Sequence, residues 1–130
     1  MIVVDFLIIN RDRHGANIEI IERKNSDRKE PAPLFDHGFS LICSCKDEND
    51  AETFDAMADL PVQSFIGSRS LFRNLELIPK DRLPVFRRLD SSDKDYLLKD
   101  MGQCLSVSYL EKIWEIIWQR WNYYETLRTH

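Results

Sequence analysis

A basic excess, a glycine-rich run, a complete set of pairable cysteines and a long apolar span are all missing from this sequence. Each absence removes a class of function. Eighteen Lys and Arg are outnumbered by 22 Asp and Glu, for a net charge of −4 at pH 7, so direct nucleic-acid binding through a basic footprint is not expected. Four glycines and five prolines in 130 residues exclude collagen-like and low-complexity chains. Three cysteines, Cys43, Cys45 and Cys104, cannot all pair within one chain and match neither a disulfide framework nor a four-ligand zinc spacing. The apolar run Ile2 to Ile9 is broken by Asp5 and falls far short of the ~20 residues that span a bilayer, and no basic leader accompanies it. The expectation is reduced thiols, a cytoplasmic setting and no membrane partner.

What remains suits one globular domain over residues 1–130, with 43% hydrophobic and 31% charged residues. Met1 opens directly onto the apolar run, as an interior element cut at its edge would. Five β-branched residues in the first nine favour a strand, whereas the apolar positions around Asp5 also suit a buried helix. A polar loop, Asn10 to Asn17, follows. Ile18 and Ile20 alternate with Glu19, and after a charged bend from Arg23 to Lys29 the chain returns through Pro31 to Phe35 as a short hairpin ending at Asp36-His37-Gly38. Gly38 is the residue expected to carry a positive φ there. Lys46 to Asp50 reads as a solvated loop.

The remainder reads as helical. Leu71, Phe72, Leu75 and Ile78 share a helix face with Pro79 beyond the end, a short helix is expected from Leu83 to Leu89 with Pro84 in its first turn, and another from Asp93 to Asp100. Leu110, Ile113, Trp114, Ile117, Trp121 and Tyr124 repeat at three and four, with Ser108 and Glu111 as a capping box. This longest helix should bury Trp114 and Trp121. The fold class is mainly α with a small β-hairpin.

The candidate chemistry lies in the loop and beyond the hairpin. Asp12 and Asn17 are five positions apart, and Asp36 follows one hairpin later. Phosphoryl transfer needs a carboxylate to orient and deprotonate an attacking hydroxyl, and hard oxygen ligands for magnesium on the nucleotide phosphates. Asp12 suits the first task; Asn17 and Asp36 suit the second. Arg11 and Arg13 read equally as charge partners and as phosphate contacts. Cys43 and Cys45 with His37 offer a soft-metal alternative, set against ordinary half-buried cysteines.

Protein kinases carry this logic as a catalytic-loop Asp, four residues, Asn, and then Asp-Phe-Gly after a hairpin. Asp12-Arg13-His14 with Asn17 also resembles the catalytic loop of phosphatidylinositol kinases, where the matching histidine is functional. The resemblance spanning most of the chain is narrower. Asn10-Arg11-Asp12-Arg13-His14-Gly15-Ala16-Asn17, with Pro31-Ala32-Pro33-Leu34-Phe35-Asp36-His37-Gly38-Phe39-Ser40-Leu41, looks like the C-terminal lobe of bacterial HipA-like serine/threonine kinases. The resemblance implies a helix for Met1 to Ile9, a trailing helical bundle, Asp12 and His14 as catalytic residues, and Asn17 and Asp36 as ligands for magnesium bound with ATP. No glycine-rich loop or nucleotide-gripping lysine is recognisable, so the chain reads as a C-lobe with the N-lobe missing, inactive alone. The rival reading is a noncatalytic module or split-toxin subunit that docks an N-lobe or regulatory partner. An uncovered apolar face at Met1 to Ile9 and the hairpin would favour a homodimer.

Overall fold

Val107–Thr129 forms the 23-residue helix α5, a stretch without glycine or proline whose Ile113, Ile116, Trp121 and Tyr124 share a buried stripe. A computed structural model describes residues 1–24 and 27–130 of the chain. Its order is α1 (Ile2–Leu7), β1 (Asp12–Arg13), β2 (Ile20–Glu22), β3 (Lys29–Pro31), α2 (Glu48–Thr53), β4 (Gln63–Ser64), α3 (Leu71–Glu76), α4 (Ser91–Leu98) and α5, with short 3-10 turns at Gly15–Asn17, Lys80–Arg82 and Met101–Gln103. Helical residues make up 45% and strands 8%, so the fold is mainly α with a small β part.

The apolar start is helical. Val3 and Phe6 of α1 are buried against α3 and α5, and Phe6 meets Phe72 edge-on at 5.0 Å, itself 5.1 Å from Tyr123. Helix α1 stops in a Schellman arrangement: the Asn10 N–H reaches the Asp5 carbonyl at 2.9 Å and the Ile9 N–H reaches Phe6 at 3.4 Å. The left-handed position, which favours glycine, is held by Ile9 at φ 52°. Arg120 of α5 locks this end of the molecule without a carboxylate, donating to the carbonyls of Phe6 (3.1 Å), Ala56 (2.8 Å) and Ala58 (2.6 Å). Burial pushes its guanidinium down to about 10, leaving it charged at neutral pH.

Strands β2 and β3 pair antiparallel as the expected hairpin, with the return strand at Lys29–Pro31 rather than downstream of Pro31. Within the hairpin lie residues 25 and 26, outside the described residues. An unforeseen parallel pair joins β1 to β4, setting Asp12 opposite Gln63. Two residues per strand gave no periodicity to read.

Several helix expectations shift. No helix covers Leu83–Leu89: the residue before Pro84 is driven extended, with Leu83 at ψ 124°, and the chain stays irregular to Asp90. Helix α4 starts at Ser91, two residues early, because Asp90 and Asp93 form the capping box: the Asp90 carboxylate accepts from the Ser92 N–H at 2.8 Å and Asp93 accepts from the Asp90 N–H at 2.8 Å. The box expected at Ser108 and Glu111 is absent. Ser108 already lies inside α5, and Glu111 instead takes Lys94 of α4 at 2.5 Å. The expected solvated loop at Lys46 to Asp50 runs into α2, capped by the Asp47 carboxylate on the Asp50 N–H at 2.9 Å and anchored by buried Ala51. Trp121 is buried; Trp114 is only half-buried, stacked on Trp118 at 5.6 Å.

Candidate functional site

Strand β1 and the 3-10 turn after it hold the polar loop in one conformation. Asn10 donates to the Asp5 carboxylate at 2.9 Å while its Oδ1 accepts the Asp12 N–H at 3.2 Å. The Asn17 side-chain N–H donates to the Asp12 carbonyl at 2.8 Å. That bond fixes the amide: the nitrogen is committed inward, and Oδ1 has no hydrogen-bond partner among the described residues. His14 Nδ1 accepts the Ala16 N–H at 3.1 Å, which points Nε2 at Asp12 Oδ1, 3.6 Å away.

Arg13 is the hub. It is 2% exposed, and its five N–H groups are all used. Nε and Nη2 grip Asp5 at 2.9–3.2 Å, Nη1 donates to the Asn17 carbonyl (3.0 Å) and the Phe35 carbonyl (2.8 Å), and Nη2 also reaches His37 Nδ1 at 3.0 Å. One guanidinium thus joins α1, the Asn17 turn and the segment carrying Asp36. Of the two roles read for Arg13, it fills charge partner. The signal for its mate was the lone Asp5 inside an apolar run, since a carboxylate is rarely buried unless paired.

Asp36 is exposed, at φ 52°, and its carboxylate has no protein partner among the described residues. Gly38 was the residue expected to hold a positive φ; the turn places it on Asp36 instead, a residue type that tolerates the left-handed region. The segment is then tied back by Arg11 N–H to the Phe39 carbonyl at 3.0 Å and Leu41 N–H to the Ile8 carbonyl at 2.7 Å. His37 is engaged by Arg13, burial raises both the Cys43 and Cys45 thiols, and among the described residues no three His, Cys, Asp or Glu side chains gather around a metal-sized space.

Two hollows flank the loop. Asp12 lies on the wall of an open cleft of about 640 Å³ with Arg11, Phe39, Gln63, Ser68 and Arg69. Asn17 lines another of about 310 Å³, walled mostly by apolar residues of the hairpin, including Ile18, Pro33 and Leu34. The first cleft depends on Asn74, which no sequence pattern singled out. Its amide accepts the Ser68 N–H at 2.6 Å and donates to the Ser68 carbonyl at 2.9 Å and Ser64 Oγ at 3.1 Å, holding the 64–68 loop around Gly67 at φ 92°. No protein-family model, curated protein or solved structure matches the chain. The functional reading rests on these side chains.

Proposed function

We propose that this chain carries the acid–base and metal-ligand half of an ATP-dependent serine/threonine kinase site of the HipA-like kind. The observation that supports it most is the Arg13 hub, whose hydrogen bonds to Asn17 and Phe35 carbonyls draw the two motif segments together across 22 residues of sequence separation. Asn17 Oδ1 and the Asp36 carboxylate are hard oxygen donors with no competing partner among the described residues, the donor set magnesium takes alongside phosphate and water. When bound, the ion neutralises charge on the transferring phosphate. Asp12 accepts the proton of a Ser or Thr hydroxyl as that oxygen bonds to the γ-phosphorus and the β–γ bridging bond breaks, releasing ADP. His14 Nε2 steadies the Asp12 carboxylate. The sequence offers no glycine-rich run, so the groups that grip the triphosphate come from a separate lobe, and the chain alone is a poor kinase. Three free thiols suit a cytoplasmic setting, and no helix among the described residues is long and apolar enough to cross a membrane.

A manganese titration followed by amide NMR tests the metal half without any partner. Line broadening should centre on Asn17 and Asp36, at weak affinity, and Asp36→Asn should abolish it. Broadening centred on Asp47 to Asp50, or unchanged in Asp36→Asn, would sink the assignment. A noncatalytic docking module is the second reading, favoured by a hairpin that leaves Ile20 (64% exposed) and Ile21 (45% exposed) open on its two opposite faces. A partner lobe or second copy covering the hairpin fits either reading.

A further inference from the structure

We propose that the cleft beside Asp12 receives an acidic peptide segment, its hydroxyl-bearing residue at Asp12 and its neighbouring carboxylates on Arg11 and Arg69. This rests on the kinase reading and adds a substrate class to it. The charge of the cleft is the reverse of the chain's. Two arginines and one carboxylate line it, within a protein of net charge −4. Arg11 is positioned but unspent. Its guanidinium lies 4.7 Å from the Phe39 ring centroid, and only Nε is engaged, at 3.4 Å to the Pro61 carbonyl, so both terminal nitrogens stay open to a carboxylate. Arg69 is exposed and makes no hydrogen bond or ion pair through its side chain among the described residues.

The backbone around these cations is fixed before any ligand arrives. The Val62 N–H holds the Arg69 carbonyl at 3.0 Å, and Gln63 and Phe65 N–H groups hold the carbonyls of Arg11 and Arg13 at 2.8 and 2.7 Å. Behind the loop, Asn74 satisfies Ser68 from both sides. The two guanidinium-bearing segments are therefore linked through one hydrogen-bonded strand, and little backbone ordering is left for binding to cost. Planar forks of this kind match carboxylates bidentately. An anionic membrane is a weaker match, because recruitment by charge takes clusters of about four to eight basic residues, and here two stand against a net negative chain.

The test uses the whole chain and needs neither nucleotide nor metal. A fluorescein-labelled peptide with one central Ser flanked by Glu is titrated by anisotropy, beside an isomer with Lys for Glu. The Glu peptide should bind at least ~10-fold tighter, as charge-assisted contacts to two guanidinium groups imply. Arg69→Glu and Arg11→Gln should each erase most of that preference while circular dichroism and the unfolding midpoint stay at wild-type values. Asp12→Asn, which removes the one carboxylate among the lining residues, should tighten the Glu peptide roughly twofold to fivefold. Equal binding of both peptides, or a preference that survives in both arginine variants, overturns the proposal. Co-sedimentation with phosphatidylinositol-phosphate vesicles in the absence of peptide binding also overturns it and gives the cleft to a headgroup. The manganese titration fails or succeeds independently, so loss of the kinase reading is distinguishable from loss of this one.

Discussion

Separating the stability of the Arg13–Asp5 pair from its positioning role gives the sharpest prediction. Their side chains are 2% and 6% exposed and in contact at 2.9 Å. Asp5→Leu would leave a buried guanidinium with only carbonyls and an imidazole around it. Arg13→Met would leave a buried carboxylate whose remaining partner is Asn10. Removing one member of such a pair costs about 3–5 kcal/mol, because the other keeps its desolvation penalty. Against a total of about 5–15 kcal/mol, either single variant loses a large share of its stability. For a chain of this size the drop in Tm is roughly 10–20 °C.

The double variant Asp5→Leu with Arg13→Met removes both charges and is expected to be no worse than either single, a coupling of at least about 3 kcal/mol. Urea unfolding followed by tryptophan fluorescence measures all four proteins, with buried Trp121 as a core reporter. Stability and site should then part company. The folded double variant has lost the hydrogen bonds to the Asn17 and Phe35 carbonyls, so manganese broadening at Asn17 and Asp36 should disappear. Free energies that add within about 0.5 kcal/mol would refute the pairing argument. A double variant that keeps the metal response would refute the hub.

Gly67→Ala should cost about 2–3 kcal/mol and disturb the cleft, since the glycine sits at φ 92° and a Cβ would lie 2.2 Å from Asn74 Oδ1; an unchanged Tm would contradict the loop geometry. At acid pH, helix α4 should lose its start. Asp93 is held low by its bond to Arg87 and Asp90 by its bonds to Ser92, so their contribution is fully present above the ordinary Asp value of ~3.9 and is lost as pH falls from there through their lowered folded-state values. Asp93→Asn should flatten that part of an acid unfolding curve, and a curve identical to wild type would remove these carboxylates from the account.

Periodicity made α5 and α3 legible because a long amphipathic stripe is a property of the sequence itself. The ends were not. Ser108 and Glu111 have the spacing of a capping box, yet the helix begins before them, while Asp90 and Asp93 carry the working box in the same two-carboxylate form that reads as ordinary surface charge. Short elements were lost for a related reason: β1 and β4 are two residues each, and their pairing is set by tertiary contacts across 51 positions rather than by any local pattern. Pro84 was read as a helix starter, but its steric effect on Leu83 acted first. At the site, the polar segment carrying Asp12 and Asn17 was readable from polarity and spacing, but not that Asp12 sits on strand β1 rather than in a loop. Arg13 as organiser was not, since the two bonds that tie the motif segments together go to the backbone carbonyls of Asn17 and Phe35, a group that every residue type presents.

Strain explains why so many bonds converge on so small a region. Among the described residues, the non-glycine positions with positive φ are Ile9, Asp36 and Leu41, and each borders one of the two motif segments. A β-branched residue in the left-handed region is the costliest of them, and such conformations cost of order 1–3 kcal/mol each. Ile9 persists because its side chain is fully buried, a gain of roughly 1.5–3 kcal/mol, and because both Schellman bonds close around it. Leu41 is pinned by Ile8 and the preceding turn by Arg13 and Arg11. The segments bearing Asp12, Asn17 and Asp36 are therefore over-determined by contacts beneath them, whereas the exposed Asp36 carboxylate is left without a partner among the described residues. On the proposed kinase reading, a surface organised in this way would leave most of the binding energy for the ligand itself.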